Sequence, residues 1–375
     1  MNDPLPSPTV PFADPAADHQ AFTDELLAAA GRVIRSGRYI LGPEVEAFER
    51  ELAEACGVGH AVGMSSGTDA LLAMLAGAGV GPGDEVVTSP FSFFATAGAI
   101  LRAGARPVFA DVDAATLNLD PAAALAKVGP RTRAVLVVHI FGRCLPTAAL
   151  EAECRARGIA LLEDAAQAIG AVGPDGRLVG TRTTAAALSF FPTKNLGGLG
   201  DGGAVLTEDA AFAATMRRLR VHGADRKNHH PDVGGNFRLD ALQAALLRVK
   251  LPRLPAWTAA RRRAAARYHT GLRGLGLGLP PEDPGCVWNQ FVVRVPEGRD
   301  RTLAGLARAG VASEIYYPTP LHLQPALRAL GHGPGELPVA ERACAEVLAL
   351  PLHPSLDDRS IDRVIAALRD VVGGR

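Results

Sequence analysis

The hydrophobic and polar positions of this chain follow helical spacing at first and then alternate between strand-like and helix-like segments. Residues 21–37 carry apolar side chains at helical spacing and end at Gly37, which predicts a helix closed by a glycine cap. From about His60, short apolar runs such as residues 134–140 and 159–162 alternate with amphipathic stretches. This alternation predicts βαβ units and a mainly parallel sheet with helices on both faces.

The second half of the chain carries a further α/β pattern. From Leu239 a long run with helical spacing predicts a connecting helix that is kinked at Pro252 and Pro255. The arginines at 261–263 are expected on a solvated face of this helix. Glycine and proline then cluster over residues 271–285, which indicates a boundary loop before the next strand.

The length and charge of the chain limit its class. At 375 residues it is too long for one ordinary core. We therefore predict a large domain with an N-terminal helical segment over residues 1–250 and a smaller C-terminal α/β domain over residues 251–375. Lysine plus arginine and aspartate plus glutamate each total 39, and this zero net charge argues against a nucleic-acid partner.

The remaining composition is typical of a soluble intracellular protein. The five cysteines are scattered and lack CxxC spacing, so neither a disulfide framework nor a metal site is expected. No apolar run approaches membrane-spanning length. The N-terminal segment is proline-rich and lacks a basic stretch followed by an apolar core, so we expect no signal peptide and a cytoplasmic location.

Three features with complementary chemistry occur in order along the chain. A Ser-Ser-Gly-Thr turn at residues 65–68 precedes an apolar helix, whose first backbone amides suit a phosphate. Asp164 follows an apolar strand, at the kind of strand end where open α/β sheets bind ligands. Lys194 lies between an apolar strand and a glycine-rich turn. A phosphate cradle, a carboxylate and an amine nucleophile are what pyridoxal 5'-phosphate (PLP) requires.

Each feature taken singly has an ordinary structural explanation. A lone lysine is normally solvated, and the Ser-Ser-Gly-Thr turn suits a simple helix cap at Ser66 or Thr68. Phe91, Phe93 and Phe94 are core residues by default, although an aromatic ring at a strand end could also stack on a flat cofactor. The features occur together and in a consistent order, and this combination favours PLP chemistry.

Longer motifs extend this pattern over almost the whole chain, among them SSGTDALLAML, EDAAQAIGA, LSFFPTKNLGGLGDGGAVLT, NFRLDALQAALLRVKL and YYPTPLHLQP. With these motifs the chain resembles the DegT/DnrJ/StrS-type sugar nucleotide aminotransferases, which are PLP-dependent enzymes of fold type I. The resemblance implies transfer of an amino group from an amino acid, expected to be L-glutamate, to a keto group of a nucleotide-linked sugar. It also implies a homodimer with shared active sites.

The resemblance further assigns site residues. Lys194 would form the Schiff base with PLP and act as general acid and base, while Asp164 would keep the pyridine nitrogen protonated. The other residues implied around the cofactor are Ser66, Gly67, Thr68, Phe93, Gln167, Ser189, Asn236 and Arg238, of which the last two would reach the phosphate in the neighbouring subunit. The residues implied for the substrate are Asn289, Tyr316 and His322, with His222 as a further candidate.

Two alternatives stay open at this point. A PLP-dependent sugar dehydratase uses the same scaffold, but such family members typically replace the lysine by histidine or add an iron–sulfur centre, and this sequence has neither feature. A non-catalytic regulatory protein of the same fold would not need the nucleophile that this chain retains. Asn289 and Tyr316 stand where many members have histidine, so the identity of the sugar stays open, and free cyclitol ketones remain candidates.

Overall fold

The computed structural model describes residues 9–373, so the expectations for residues 1–8 lie outside the described part. The strands are β1 His60–Met64, β2 Glu85–Thr88, β3 Arg106–Phe109, β4 Thr132–Val138, β5 Ala160–Asp164, β6 Ala185–Ser189, β7 Gly203–Thr207, β8 Phe291–Arg294 and β9 Val347–Leu350. The α-helices are α1 Pro15–His19, α2 Thr23–Ser36, α3 Pro43–Cys56, α4 Gly67–Gly77, α5 Ala95–Arg102, α6 Pro121–Ala126, α7 Ala148–Arg157, α8 Ala210–Leu219, α9 Ala241–Lys250, α10 Leu254–Leu272, α11 Arg299–Arg308, α12 Pro338–Glu346 and α13 Asp358–Gly373.

The first seven strands form one sheet in the order β1-β7-β6-β5-β4-β2-β3. Strands β2 to β6 run parallel where they pair, whereas β7 is antiparallel to both β1 and β6. Successive residues of β6 belong to different cores, because Ala186 and Leu188 pack with α3 and α9 while Ala185 and Ala187 pack with α4 and α8. The predicted α/β class, with a mainly parallel sheet covered on both faces, is therefore confirmed.

The helix predicted near the N-terminus is also confirmed, since α2 ends at Ser36. Gly37 adopts a left-handed conformation with φ of 65°, and its N–H donates to the Val33 carbonyl at 3.2 Å. A residue with a Cβ atom adopts this conformation only at a cost, so glycine suits the end of this helix.

The C-terminal part contains a second, two-stranded antiparallel sheet of β8 and β9. Its core joins these strands to α10 and α13, and it includes Val10 from the other end of the chain. Val10 forms a parallel bridge with Val311, through bonds to Gly310 and Ala312 of 3.0 Å each. The domain boundary between residues 250 and 251 stays a prediction. Over residues 9–373, none of the helices has the length and apolarity needed to cross a membrane.

The predicted connecting helix is interrupted where prolines occur. Helix α9 ends at Lys250, a 3₁₀ turn follows over Leu251–Arg253, and α10 begins at Leu254. Pro252 lies within the 3₁₀ turn and Pro255 in the first turn of α10, where its missing N–H costs no intrahelical bond.

Arg261 corrects the prediction that the arginines of this helix are solvated. Its side chain is buried, and Nη1 donates to the carbonyl oxygens of Trp288 at 3.3 Å, Asn289 at 3.2 Å and Leu352 at 2.8 Å. Burial lowers the pKa of Arg261 to about 10. Arg263, two positions on, is exposed as expected. The carbonyl oxygens of two separate segments, rather than helical spacing, decide which arginine is buried.

We expect Arg261→Met to lower the free energy of unfolding by about 3 kcal/mol, because three carbonyl oxygens lose a buried charged donor. Arg263→Met, on the exposed face of the same helix, is the matched control and should change stability by less than about 0.5 kcal/mol. Urea unfolding followed by circular dichroism measures both. Equal effects of the two substitutions would show that the contacts of Arg261 contribute little.

Candidate active site

The parallel strands of the large sheet end at one edge, and side chains at these ends line a cavity of about 430 Å³. Asp164 is the last residue of β5, Ser189 is the last residue of β6, and His139 directly follows β4. Lys194 lies in the turn that follows β6 and lines the same cavity. The carboxyl ends of adjacent parallel strands thus bring together residues that are distant in sequence.

The start of α4 forms one wall of this cavity. Ser66 caps the helix, with its Oγ accepting the N–H of Asp69 at 3.0 Å. The N–H groups of Gly67 and Thr68 have no acceptor within the helix and are available for an anion. Gly67 lies so close to Ser189 that an added Cβ would stand 2.7 Å from the serine Cβ. Only a glycine lets the helix start and the end of β6 meet here.

Asp164 is buried, with a relative exposure of 6%. The Thr96 hydroxyl donates to its Oδ2 at 2.8 Å, and the Ala166 N–H donates to its Oδ1 at 3.3 Å. Burial raises the pKa of Asp164, while these two hydrogen bonds and the nearby charge of Lys194 oppose the rise. The cavity therefore contains a carboxylate whose environment suits a cationic hydrogen-bond donor.

Lys194 supplies an amine to the same cavity. Its backbone N–H donates to the Phe191 carbonyl at 2.8 Å, which fixes the turn that carries it. Burial lowers the pKa of Lys194 from 10.5 to about 8, and the negative charge of Asp164 partly opposes this change. A substantial fraction of the amine is thus neutral near physiological pH, as a nucleophile or a general base requires.

Polar and aromatic residues complete the walls. Gln167 accepts the Phe141 N–H at 2.6 Å through Oε1 and donates from Nε2 to the Tyr317 hydroxyl at 3.4 Å. Asn289 donates from Nδ2 to Oδ1 of Asn195 at 2.8 Å. The side chains of Gln167, Asn289, Tyr316 and Tyr317 all line the cavity.

The three phenylalanines before α5 do not share one environment. Phe91 is fully buried, as the default prediction had it. Phe93 is 61% exposed and lines the cavity, with its ring centroid 6.5 Å from that of Tyr317, and Phe94 is also exposed. The core prediction is therefore wrong for Phe93 and Phe94, whereas Phe93 lies where a flat ring could stack against it.

Some residues assigned from the sequence do not reach this cavity. Asn236 and Arg238 line a separate hollow of about 270 Å³, which shares Asp201 with the main cavity. His322 is buried and is not among the lining residues, and its Nε2 lies 3.1 Å from Glu341 Oε1. His222 is likewise absent from the lining. The structure thus does not bring His322 or His222 to the proposed substrate space.

Three lining or supporting residues were missed. Thr96 contacts Asp164, and His139 lines the cavity with Nδ1 accepting the Leu145 N–H at 3.0 Å. His139 follows the end of β4, so the rule that singled out Asp164 could have found it. Phe12 lines the cavity from the N-terminal segment, with its ring 5.8 Å from that of Tyr316. Neither Phe12 nor Thr96 had a signal in local sequence.

The comparison with protein families decides the classification. Residues 20–369 match the DegT/DnrJ/EryC1/StrS aminotransferase family. The chain belongs to this family. It is a PLP-dependent aminotransferase of fold type I, as the sequence motifs implied.

Individual relatives align with almost the whole length of this chain. A dTDP-3-amino-3,4,6-trideoxy-alpha-D-glucose transaminase of Streptomyces venezuelae is 43% identical over 99% of this chain and 98% of its own. A UDP-2-acetamido-2-deoxy-3-oxo-D-glucuronate aminotransferase of Pseudomonas aeruginosa is 41% identical over 96% of this chain and 99% of its own. The crystal structure of S. venezuelae DesV in complex with a ketimine intermediate superposes with a TM-score of 0.94. The two chains are 42% identical, and the match covers 98% of this chain and 99% of DesV.

The residues present in the cavity of this aminotransferase fit PLP. The amides of Gly67 and Thr68, with the Ser189 hydroxyl, form a cradle for a phosphate that a side chain at position 67 would fill. Asp164 is buried and faces the cavity, as a partner of a protonated ring nitrogen must. Within residues 9–373, no group of three or more His, Cys, Asp or Glu side chains is placed to hold a metal ion.

We expect the cofactor-free aminotransferase to capture PLP covalently at a rate that rises with pH and levels off above about 8, because only the neutral Lys194 amine attacks an aldehyde. A lysine with its usual pKa of 10.5 would give a rate that still rises well above pH 9. Borohydride trapping at timed intervals, followed by mass spectrometry, measures the rate. In Asp164→Asn the plateau should begin at lower pH, since the carboxylate raises the pKa of Lys194; a plateau at higher pH would contradict this account.

Proposed function

We propose that this enzyme transfers the amino group of L-glutamate to the 3-keto group of a nucleotide-linked sugar. The observation that carries the proposal is a single cavity lined by the Lys194 amine, the Asp164 carboxylate and the free amides of α4. The relatives described above act on dTDP- and UDP-linked sugars, and the names of both refer to carbon 3. Their agreement on this carbon supports amination at C3, whereas they differ in the nucleotide.

Several residues of the cavity would bind the cofactor. The amides of Gly67 and Thr68 and the Ser189 hydroxyl bind the phosphate of PLP, and Asp164 accepts a hydrogen bond from the protonated ring nitrogen. Phe93 lines the cavity with an exposed ring and would stack on the flat ring of the cofactor. When bound, PLP supplies a ring that withdraws electrons from the carbon undergoing proton transfer.

Lys194 would move the proton. Its neutral Nζ accepts a proton from the α-carbon of the amino-acid donor, and the resulting ammonium is held beside Asp164. Nζ would then pass this proton to the cofactor carbon that bears the nitrogen, which leaves the amine neutral again. In the second half of the cycle, Nζ would take a proton from that cofactor carbon and deliver it to the former carbonyl carbon of the sugar, whose new amine is released. Gln167 is fixed by a hydrogen bond from the Phe141 amide and would lie beside the cofactor, while Asn289 is fixed by its hydrogen bond to Asn195 and would contact the substrate.

We further propose that two copies of the chain share their active sites. Support comes from Arg238 and Asn236, which line a hollow beside the cavity rather than the cavity itself. The Arg238 Nε is buried and lacks a hydrogen-bond partner within the described residues. Exposed apolar side chains lie near this hollow, because Ile40 lines it and Leu199 is bonded through its N–H to Gln243, which also lines it. An apolar rim around an unpaired cation suits contact with an anionic group across a dimer interface.

The same proposal includes a cytoplasmic location. The five cysteines are unpaired, as is usual in a reducing compartment.

A panel of keto-sugar nucleotides tests the function directly. With ¹⁵N-labelled L-glutamate, we expect the label in the sugar product when a 3-keto sugar linked to dTDP or UDP is offered, as measured by mass spectrometry. Lys194→Ala should lose at least about a thousandfold in turnover, because no other side chain replaces its proton transfer. Loss of water from the sugar without gain of nitrogen would identify a dehydratase and contradict the proposal. Equal transfer of nitrogen from unrelated amino acids would contradict the assignment of L-glutamate as the donor.

Mixed dimers test the shared site. Lys194→Ala and Arg238→Ala should each be nearly inactive alone. After unfolding and refolding of an equal mixture, half of the dimers are mixed, and each mixed dimer has one intact site. We therefore expect recovery of about a quarter of wild-type activity. No recovery, with mixed dimers confirmed by native mass spectrometry, would mean that Lys194 and Arg238 of one chain serve the same site.

A further inference from the structure

A series of two buried hydroxyl groups ends on the carboxylate of Asp164. The Ser92 Oγ lies 2.7 Å from Thr96 Oγ1, and Thr96 Oγ1 donates to Asp164 Oδ2 at 2.8 Å. Thr96 is fully buried and Ser92 nearly so, yet Ser92 also contributes to the cavity lining. Nothing in the proposed chemistry has so far used either hydroxyl.

The direction of these hydrogen bonds follows from the number of protons available. An ionised carboxylate can only accept, so the single hydroxyl proton of Thr96 is committed to Asp164. The lone pairs of Thr96 Oγ1 then accept the hydroxyl proton of Ser92. The order of donation is therefore Ser92 to Thr96 to Asp164. The charged carboxylate accepts the Thr96 proton at Oδ2 and cannot donate in return, so this order of donation matches an ionised Asp164.

The series acts against the effect of burial. Removing a carboxylate from water favours its neutral form, whereas a hydrogen bond donated to the charged form favours the charge. Thr96 lies in the first turn of α5, whose N-terminal end also favours a negative charge. The other groups facing Asp164 are the Ala166 N–H, Lys194 and His139. Of these, only Ala166 donates a hydrogen bond to the carboxylate itself.

We propose that Thr96 and Ser92 are positioning residues that hold Asp164 ionised and oriented, so that it binds the protonated ring nitrogen of PLP. The inference rests on the role proposed for Asp164 and extends it to two residues that do not themselves contact the ring nitrogen. Thr96 acts directly on the carboxylate, and Ser92 acts one step further away by fixing the direction of the Thr96 proton.

The affinity of the cofactor-free enzyme for PLP, measured by equilibrium dialysis, tests the inference. Thr96→Val keeps the shape of the side chain but removes the donor, and we expect the dissociation constant to rise about tenfold to a hundredfold. Thr96→Ser restores the hydroxyl and should restore binding, while Ser92→Ala should have a smaller effect than Thr96→Val. The matched control is Thr88→Val, which removes another buried hydroxyl, one that donates to the Leu136 carbonyl at 2.8 Å.

A cofactor analogue separates this role from general damage to the fold. In the analogue, CH replaces the ring nitrogen of PLP, so Asp164 has no donor to bind. Wild-type enzyme should prefer PLP over the analogue, and Thr96→Val should reduce that preference by the same factor as the loss in PLP affinity. A structural defect would weaken both ligands equally and overturn the inference, as would an unchanged PLP affinity in Thr96→Val.

Asp164→Asn separates the role proposed for Asp164 from the positioning role proposed for Thr96. If Asp164→Asn loses the preference for PLP but Thr96→Val does not, the positioning role is wrong while the assignment of Asp164 stands. If Asp164→Asn keeps the preference, the proposed role of Asp164 fails first. If Thr96→Val is too unstable to purify, the affinities of Ser92→Ala for PLP and for the analogue are measured instead. An unchanged preference for PLP in Ser92→Ala would contradict the positioning role of the two hydroxyl groups.

Discussion

The active site depends on the opposite effects that burial has on the pKa of an amine and of a carboxyl group. Burial at the end of the sheet lowers the pKa of Lys194 and raises that of Asp164, and each charge partly offsets the effect on the other. Both groups would be ordinary ions in water. Because the protein encloses them in one cavity, the amine becomes partly neutral while the carboxylate depends on donated hydrogen bonds to stay charged. The chemistry proposed for Lys194 and Asp164 requires a neutral amine and a charged carboxylate at once.

The sheet can enclose these groups because several segments approach each other more closely than side chains normally allow. An added Cβ at Gly67 would stand 2.7 Å from the Ser189 Cβ, and one at Gly203 would stand 2.4 Å from the Ser66 carbonyl oxygen. The start of α4 and the ends of β6 and β7 are thus fixed against one another by backbone contact. Such contacts leave little freedom for adjustment, so the anion cradle is formed before any ligand arrives.

The sequence alone predicted the parts of the molecule that depend on local pattern. The alternating strands and helices, the end of α2 at Gly37 and the position of Asp164 at the carboxyl end of β5 follow from periodicity and from the general geometry of parallel sheets, whereas Ser189 at the end of β6 came from the family resemblance. The errors concern residues whose environment is set by remote segments. Arg261 is buried because carbonyls from Trp288 and Leu352 surround it. Neither contact leaves a trace in local spacing.

The bridge between Val10 and Val311 has a consequence for biosynthesis. Phe12, two residues beyond Val10, forms part of the cavity wall, but the strand-like pairing that supports it involves Gly310 and Ala312. A chain emerging from the ribosome therefore completes the parallel strands and presents Lys194 long before this wall has its support. This wall of the active site joins the first described residues to a segment some three hundred positions later, so it lacks that support until the later segment has been synthesised.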